Sequence, residues 1–223
     1  MKKRALRKDF YMEIRKSLGR FLSIFFIVAM GVAFFSGIRA SEPDLRYSGD
    51  AYFDRNHLMN LKVMGTLGLT ENDVQAIRSL EGVAQAEPGY SADVMVERDG
   101  NQKVLHVSSI LDSMNQYTVE EGRMPKKDGE CLIDQDFIQG SGLKVGDEIT
   151  LISGTKDPVT DTFTKETFRI VGAGSSPEYI SFHRGSSMIG NGEVSGFLAV
   201  PKESFVTEAY TECYVSVEGA EEE

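Results

Sequence analysis

Residues 21–38 read FLSIFFIVAMGVAFFSGI, an uncharged and mostly apolar stretch of eighteen residues. An α-helix rises about 1.5 Å per residue, so this stretch would span roughly 27 Å, close to the thickness of a bilayer hydrocarbon core. No other part of the sequence is as long and as apolar. The sequence therefore predicts one transmembrane helix over residues 21–40, with most of the chain on one side of a membrane.

Basic residues are concentrated before this stretch. Residues 1–20 contain eight lysines and arginines but only two acidic residues, Asp9 and Glu13. Because Lys and Arg beside a span are retained in the cytoplasm, we predict a cytoplasmic N-terminus at the cell membrane and extracytoplasmic residues 41–223. The alternative is a cleaved signal peptide, but Ile38-Arg39-Ala40 is a poor cleavage site and the apolar stretch is too long. An uncleaved anchor is the favoured interpretation.

Residues 1–20 form a pattern of their own. Phe10, Ile14, Leu18 and Phe21 recur at helical spacing, and the basic residues lie mostly elsewhere around the helix. A basic amphipathic helix suits the cytoplasmic surface of a lipid bilayer, so we predict such a helix over residues 9–20. The alternative is an unstructured basic tail whose charges only set the topology.

The remainder of the chain is acidic. The formal net charge is −10 although the N-terminus is strongly basic, which argues against nucleic acid as a partner. About 180 residues outside the membrane are enough for one or two units with a hydrophobic core. The terminal residues 221–223, all glutamates, are expected to be frayed.

Cys131 and Cys213 are the two cysteines. Two are too few for a scaffold that depends on disulfides, although the predicted location would permit oxidation. Cys213 alternates with Val215 and Val217, which predicts a buried residue of a strand. A Cys131–Cys213 disulfide is the less favoured alternative, because nothing in the sequence sets the geometry it needs.

Residues 41–112 are predicted to form a small α/β unit. A strand at 61–64 precedes a helix that begins at the N-cap Thr70, with Asp73 near its positive end. Val74, Ile77 and Leu80 recur at helical spacing and are predicted to pack against a sheet, and Gly82 would end the helix.

A hairpin follows this helix in the same unit. The dipeptide Asp99-Gly100 lies between two alternating runs, 92–98 and 103–111, and this is a strong hairpin signal. Strand, helix, strand and strand together indicate a helix packed on one face of a sheet.

Residues 113–223 are predicted to form a β-rich unit, so that the fold class as a whole is α+β with a single N-terminal transmembrane helix. Helical turns are expected at 136–139 and 202–205. Two polar loops, at 153–161 and 174–191, have lengths often found in binding or docking surfaces, although ordinary solvent-facing loops of this kind are commoner. The predicted strands are 131–134, 148–152, 162–173, 196–200 and 212–218.

Three stretches in this second half carry a resemblance: EGRMP at 121–125, GECLI at 129–133 and GLKVGDEI at 142–149. Their order resembles the G-R-x-P … G-E … L-x-x-G-D-x-I signature of the MacB-like periplasmic core domain, the extracytoplasmic part of FtsX-like ABC transporter permeases. FRIVG at 168–172 and GFLAVP at 196–201 resemble the closing strands of that family. The basic N-terminus, the first span and its SGIRA exit are similar to its Gram-positive-type members.

The signature residues are expected to shape the backbone rather than to take part in catalysis. Gly122 and Pro125 are expected to fix a tight turn, and Gly146 to close another over Leu143 and Val145, which are predicted to be buried. Asp147 would bond to the backbone before a strand begins. These residues are therefore predicted to build a β-domain rather than to contact a ligand.

Catalytic and metal-binding patterns are missing from the sequence. His57, His106 and His183 are widely spaced, and no H-E-x-x-H, C-x-x-C or G-x-S-x-G motif occurs. Asp157 and Asp161 lack the ligand density of a calcium loop. We therefore expect no catalytic residues, no metal, no cofactor and no enzymatic activity.

Nucleotide-binding motifs are also missing. The stretch 171–177, VGAGSSP, is similar to a dinucleotide turn, but a proline replaces the third glycine. There is no Walker A lysine motif, so this chain is not expected to hydrolyse ATP.

Two classes of function remain. The resemblance implies the permease subunit of an ABC transporter, whose outer domain couples motion driven by a separate ABC ATPase to substrate export or to an outside partner. It also implies a dimer of permease subunits or a second permease. The alternative is a single-span, membrane-anchored extracellular binding or sensing module.

The span count bears on this choice. A single transmembrane helix cannot enclose a transport path, because other helices must pack against its sides to form one. The permease interpretation therefore predicts a truncated chain or an oligomer, with further apolar spans and an ATPase encoded nearby. The transported substrate is not specified by any residue.

Overall fold

The computed structural model describes residues 2–98, 100–181 and 183–220, in two compact units, Met1–Ala51 and Tyr52–Glu223. Asp99 of the predicted hairpin turn and the predicted frayed end, 221–223, lie outside the described residues, as does the side chain of Ile14.

The N-terminal part of the chain is helical. Helix α1 (Lys2–Lys16) is longer than the helix predicted for residues 9–20. Helix α2 (Leu18–Arg55) contains the apolar stretch; its most apolar window has a mean hydropathy of 2.4, and no residue of that window is buried. Of the described helices, α2 alone is long and apolar enough to cross a membrane. It continues beyond the predicted end at residue 40, through Pro43.

The smaller sheet of the second unit has the strand order β1-β10-β2, and all its pairs are antiparallel. Helix α3 (Glu71–Arg78) packs on it with Val74, which is fully buried, and completes a core cluster with Cys213 and Val215. The strands are β1 (Leu61–Leu69), β2 (Val83–Gly89) and β10 (Tyr210–Val217).

Helix α3 begins as predicted but ends early. Thr70 and Asp73 form a reciprocal capping box, in which each side chain bonds to the other residue's backbone. The helix stops at Arg78 with Ser79 as its C-cap, so the predicted end at Gly82 is wrong. The predicted burial of Leu80 is also wrong, because Leu80 lies beyond the last turn and is 59% exposed.

The larger sheet has the order β3-β4-β9-β6-β8-β5, and β7 pairs with β8. The predicted hairpin is confirmed, since β3 and β4 pair antiparallel from Ser91↔Ser108 to Arg98↔Asn101. The strands are β3 (Ser91–Arg98), β4 (Asn101–Ser109), β5 (Thr118–Gly122), β6 (Glu130–Asp134), β7 (Glu148–Thr150), β8 (Thr167–Ser175) and β9 (Val194–Val200).

Short helical segments cover one side of this sheet's core. The predicted turns at 136–139 and 202–205 correspond to helix α4 (Gln135–Ser141) and a 3-10 turn at Lys202–Ser204. A further 3-10 turn occupies Val159–Asp161, so the strand predicted from residue 162 starts only at Thr167. Phe163 is buried all the same, with its ring 4.8 Å from that of Phe205.

The α+β class is confirmed, but the predicted arrangement of its strands is not. Each sheet combines strands from both sides of residue 112: β10 lies between β1 and β2, and β9 pairs with β4. The predicted division at residue 112 therefore does not coincide with a boundary between the two sheets. Strands β2 and β5 were not predicted, because neither has a sustained alternation of apolar residues.

Candidate functional site

The signature residues form a rigid turn beside the edge strand β5. Arg123, directly after β5, makes two hydrogen bonds of 2.8 and 2.7 Å to the carboxylate of Glu130 at the start of β6. The backbone N–H of Lys126 also donates to that carboxylate, at 3.0 Å. The Arg123 guanidinium and this N–H lower the pKa of Glu130 to about 2. Sequence reasoning missed this ion pair, which explains why the signature contains both an Arg and a Glu.

Two glycines allow β5 to approach β8. A Cβ on Gly172 would lie 2.4 Å from the carbonyl oxygen of Arg123, and one on Gly174 would lie 2.2 Å from that of Thr118. Both distances are far below van der Waals contact. The VGAGSSP stretch is thus part of a sheet, and its glycines serve strand pairing.

The second signature turn is built as predicted. The Asp147 carboxylate accepts a 2.9 Å hydrogen bond from the Lys144 backbone, and Gly146 has φ +105°, a conformation that favours glycine. Leu143 and Ile149 are buried on either side of the turn. These contacts stabilise the fold, although Val145, which was predicted to be buried, is only half-buried.

Residues 56–60, here called the connector, join the end of α2 to both sheets. Asn56 accepts hydrogen bonds through its carbonyl from Gln116 (2.8 Å) and through its side chain from Thr118 of β5 (3.2 Å). At the other end, Asn60 bonds to β10 twice, to the carbonyl of Val215 and from the backbone of Val217. A displacement of the connector would therefore act on both sheets.

The middle of the connector is fixed by a loop residue. The backbone of Asn115 donates to the carbonyl of His57 at 2.9 Å, and its side chain accepts from the backbone of Met59 at 2.9 Å. His57 and Asn115 both have positive φ, an uncommon conformation outside glycine. This conformation is held by the contacts across the connector.

A buried ionic cluster follows on β1. The ammonium of Lys62 lies 3.1 Å from the carboxylate of Glu178 and 3.2 Å from that of Glu212. The hydroxyl of Tyr214, itself buried, donates to Glu212. Burial disfavours the charge on Lys62, but the two carboxylates outweigh it and raise its pKa. The cluster ties β1 and β10 to the loop that follows β8.

A second buried carboxylate joins the smaller sheet to the larger one. Glu87 of β2 accepts hydrogen bonds from the backbones of Asp112 and Ser113 and lies 3.0 Å from the ammonium of Lys202. These bonds overcome the effect of burial and lower the pKa of Glu87. Glu87 thus links β2 to the loop at residues 112–113 and to Lys202, which follows β9.

The three histidines do not form a catalytic group. Nδ1 of His106 lies 2.7 Å from one carboxylate oxygen of Asp93, and the hydroxyl of Ser187 donates to the other oxygen at 2.6 Å. Because the serine bonds to the aspartate, it is not activated by the histidine as in a hydrolytic triad. His183 is exposed.

The cysteines and candidate metal ligands can be placed as well. Cys131 and Cys213 are both free thiols, buried in different core clusters, so the alternative of a disulfide is not realised. Among residues 2–98, 100–181 and 183–220 no three His, Cys, Asp or Glu side chains are grouped as a metal site would require.

Comparison with known protein families gives one match. Residues 18–222 match the family model described as the MacB-like periplasmic core domain. No curated protein sequence matches the chain significantly.

Two solved structures are similar to part of the chain. The extracellular domain of the noncanonic ABC-type transporter YknZ from Gram-positive bacteria is 14% identical, with a TM-score of 0.44 over 71% of this chain and 78% of its own. The periplasmic region of MacB from Actinobacillus actinomycetemcomitans is 11% identical, with a TM-score of 0.41 over 71% and 67%.

The extent of the family match settles the assignment, since it includes all of α2, the connector and both sheets. Members of this family are permease components of ABC transporters and work with ATPase partners. The chain belongs to the MacB-like periplasmic core domain family of ABC transporter permeases.

Proposed function

We propose that the chain is the membrane-anchored, non-catalytic part of an ABC permease, and that its outer domain responds to a separate ATPase. The observation that carries this proposal is the connector, which follows α2 directly and bonds to both sheets. Force that arrives along a transmembrane helix would pass through this segment before it reaches the rest of the domain.

Topology is part of the proposal. The basic N-terminal side favours a cytoplasmic location for residues 1–20, against lipid or close to the ATPase, and an extracytoplasmic location for residues 41–223. Lipid and further transmembrane helices, from a second permease subunit or a second copy, would cover the exposed apolar side chains of α2.

The connector's bonding favours transmission of motion over a role as a hinge. Six hydrogen bonds join residues 56–60 to other parts of the domain, four through backbone groups of the connector and two through its side chains. The segment cannot swing without breaking them. A net hydrogen bond contributes about 1 kcal/mol, and several acting together make this segment move with both sheets.

Co-purification tests the proposal. The full-length gene product, solubilised from native membranes, should elute with a subunit that contains a Walker A motif and hydrolyses ATP. A matched purification after deletion of the ATPase gene serves as the control. Elution without any ATPase, combined with turnover of a substrate by the outer domain, would favour the alternative of a free-standing binding or sensing module.

A further inference from the structure

Helix α3 covers only part of the apolar face of the smaller sheet. One row of directly opposed residues crosses its three strands: Ala86 of β2 is 3% exposed and Val215 of β10 is 2% exposed, but Leu61 of β1 is 56% exposed. Because opposed residues share a face of a sheet, Leu61 belongs to the face on which α3 packs. The cover therefore ends between β10 and β1.

The same face is incompletely buried at the end of the sheet where β1 begins. Val217 of β10 lies opposite Val83 of β2, and both are only half-buried. Leu80, just beyond α3, is 59% exposed, and its carbonyl accepts a hydrogen bond from the backbone of Val83. Val63, which follows on the same face of β1, is half-buried as well. These residues are here called the open patch: Leu61, Val63, Leu80, Val83 and Val217.

The uncovered space beside α3 has the width of one helix. Neighbouring strands lie about 4.8 Å apart, so β1 is about 10 Å from β2, with β10 between them. Helix α3 packs chiefly on β2, and two packed helices have axes about 8–10 Å apart. A second helix beside α3 would therefore lie over β1 and bury Leu61 and Val63. It would complete the helical layer on this face of the sheet.

The charges beside the open patch are acidic. Glu81 and Glu218 are both exposed, and they are neighbours because the backbone of Glu218 donates to the carbonyl of Gly82. Neither carboxylate has an ion-pair partner within the described part of the chain. Arg78, the one basic residue of α3, is paired with Glu71 instead. A second copy of this chain would bring like charges to the patch, whereas a basic helix would neutralise them.

We propose that the open patch is the docking site for an amphipathic helix of a partner protein, which carries lysines or arginines beside its apolar face. Its apolar side chains would contact Leu61 and Leu80, and its cations would pair with Glu81 and Glu218. The two leucines are the most exposed apolar side chains of the patch, so they would supply most of the apolar area that is buried. The inference concerns the smaller sheet alone and holds whether or not a separate ATPase acts on the chain.

Photo-cross-linking in cells tests the site in the full-length gene product. The photoreactive amino acid p-benzoylphenylalanine replaces Leu61 in one variant and Leu80 in another, and mass spectrometry identifies the residues to which it becomes linked. Both positions should cross-link to one segment of one partner protein, with apolar residues at helical spacing and a net positive charge. The same probe in place of Val206, which is exposed but outside the open patch, should not give this product.

Charge reversal makes the result specific. Glu81→Lys combined with Glu218→Lys should lower the yield of the cross-link several-fold, because cations would then face cations. Glu203→Lys, at an exposed position outside the open patch, should leave the yield unchanged. Circular dichroism checks the folding of these variants, and Glu81→Gln combined with Glu218→Gln decides the matter if the reversed pair does not fold.

Three outcomes would overturn the proposal. The first is the absence of any cross-link from Leu61 and Leu80. The second is cross-linking only to lipid, to a second copy, to another segment of the same chain, or to a partner segment without the basic amphipathic pattern. The third is an unchanged yield in the folded charge variants.

Discussion

Arg123 and Glu130 lie seven residues apart and form a two-point ion pair, in which both guanidinium Nη atoms donate to one carboxylate. The pair closes the loop between β5 and β6, and the Lys126 backbone donates to it as well. The Gly-Arg and Gly-Glu pieces of the sequence signature are therefore one structural unit. The loop depends on Glu130 remaining ionised, because its carboxylate accepts all three of these hydrogen bonds.

Acid should weaken the fold through this pair. The pKa of Glu130 falls from 4.5 to about 2 on folding, so its contribution is complete above about pH 4.5 and is lost as the pH falls towards 2. Glu130→Gln should remove this part of the acid dependence. Urea unfolding of the full chain in detergent, followed by circular dichroism, measures it, with the exposed Glu203→Gln as control. Parallel acid profiles for Glu130→Gln and the unaltered chain would refute the assignment.

Truncating Val74 in helix α3 should destabilise the fold, whereas truncating Leu80, which lies just beyond that helix, should have little effect. Val74→Ala leaves a cavity in a fully buried site and should lower the free energy of unfolding by about 1–3 kcal/mol. Leu80→Ala removes an exposed side chain and should change it by less than about 0.5 kcal/mol. The same urea experiment compares the two. Equal losses would mean that Leu80 is buried after all, as the helical spacing in the sequence predicts.

Glycine positions provide a second pair of matched variants. Gly172→Ala would force a methyl group against the Arg123 carbonyl at 2.4 Å and should destabilise the fold by about 2 kcal/mol or more. Gly140→Ala, inside α4 with no atom nearby, should be neutral or stabilising by up to about 1 kcal/mol. Thermal melting distinguishes them. A stable Gly172→Ala variant would show that β5 and β8 are not in close contact.

Sequence reasoning succeeded where the signal is local. The Thr70–Asp73 capping box, the hairpin around Gly100 and the turn at Asp147 each depend on residues within a few positions of one another. It failed where partners are distant. Asn60 and Val217 are 157 residues apart, and no local pattern indicates that β10 inserts between β1 and β2.

The ionic contacts could not be foreseen for the same reason. Arg184 and Asp134 lie 50 residues apart, and Lys62 meets Glu178 only because the two sheets adjoin. In the sequence these residues look like ordinary surface charges. Leu80 illustrates the opposite error, since its spacing fits the helix but the capping of Ser79 ends the helix before it.

Topology can be measured on intact cells. Asp157 is exposed, so Asp157→Cys should react with a membrane-impermeant thiol reagent added outside, whereas Lys16→Cys in α1 should react only after lysis. The native cysteines are buried and should contribute little. The reverse pattern would invert the orientation, and a mature N-terminus at Ser41 would show that the apolar stretch is a signal peptide.

Hydrogen–deuterium exchange of the full-length permease with its ATPase tests the coupling most directly. The account predicts that ATP changes the exchange of residues 56–60, of 115–118 and of β10 together, because the connector bonds to all of them. With an ATPase variant that cannot hydrolyse ATP, the three segments should not alternate between two conformations during the exchange experiment. Exchange in the three segments that is identical with and without ATP would contradict the proposal that the outer domain responds to the ATPase.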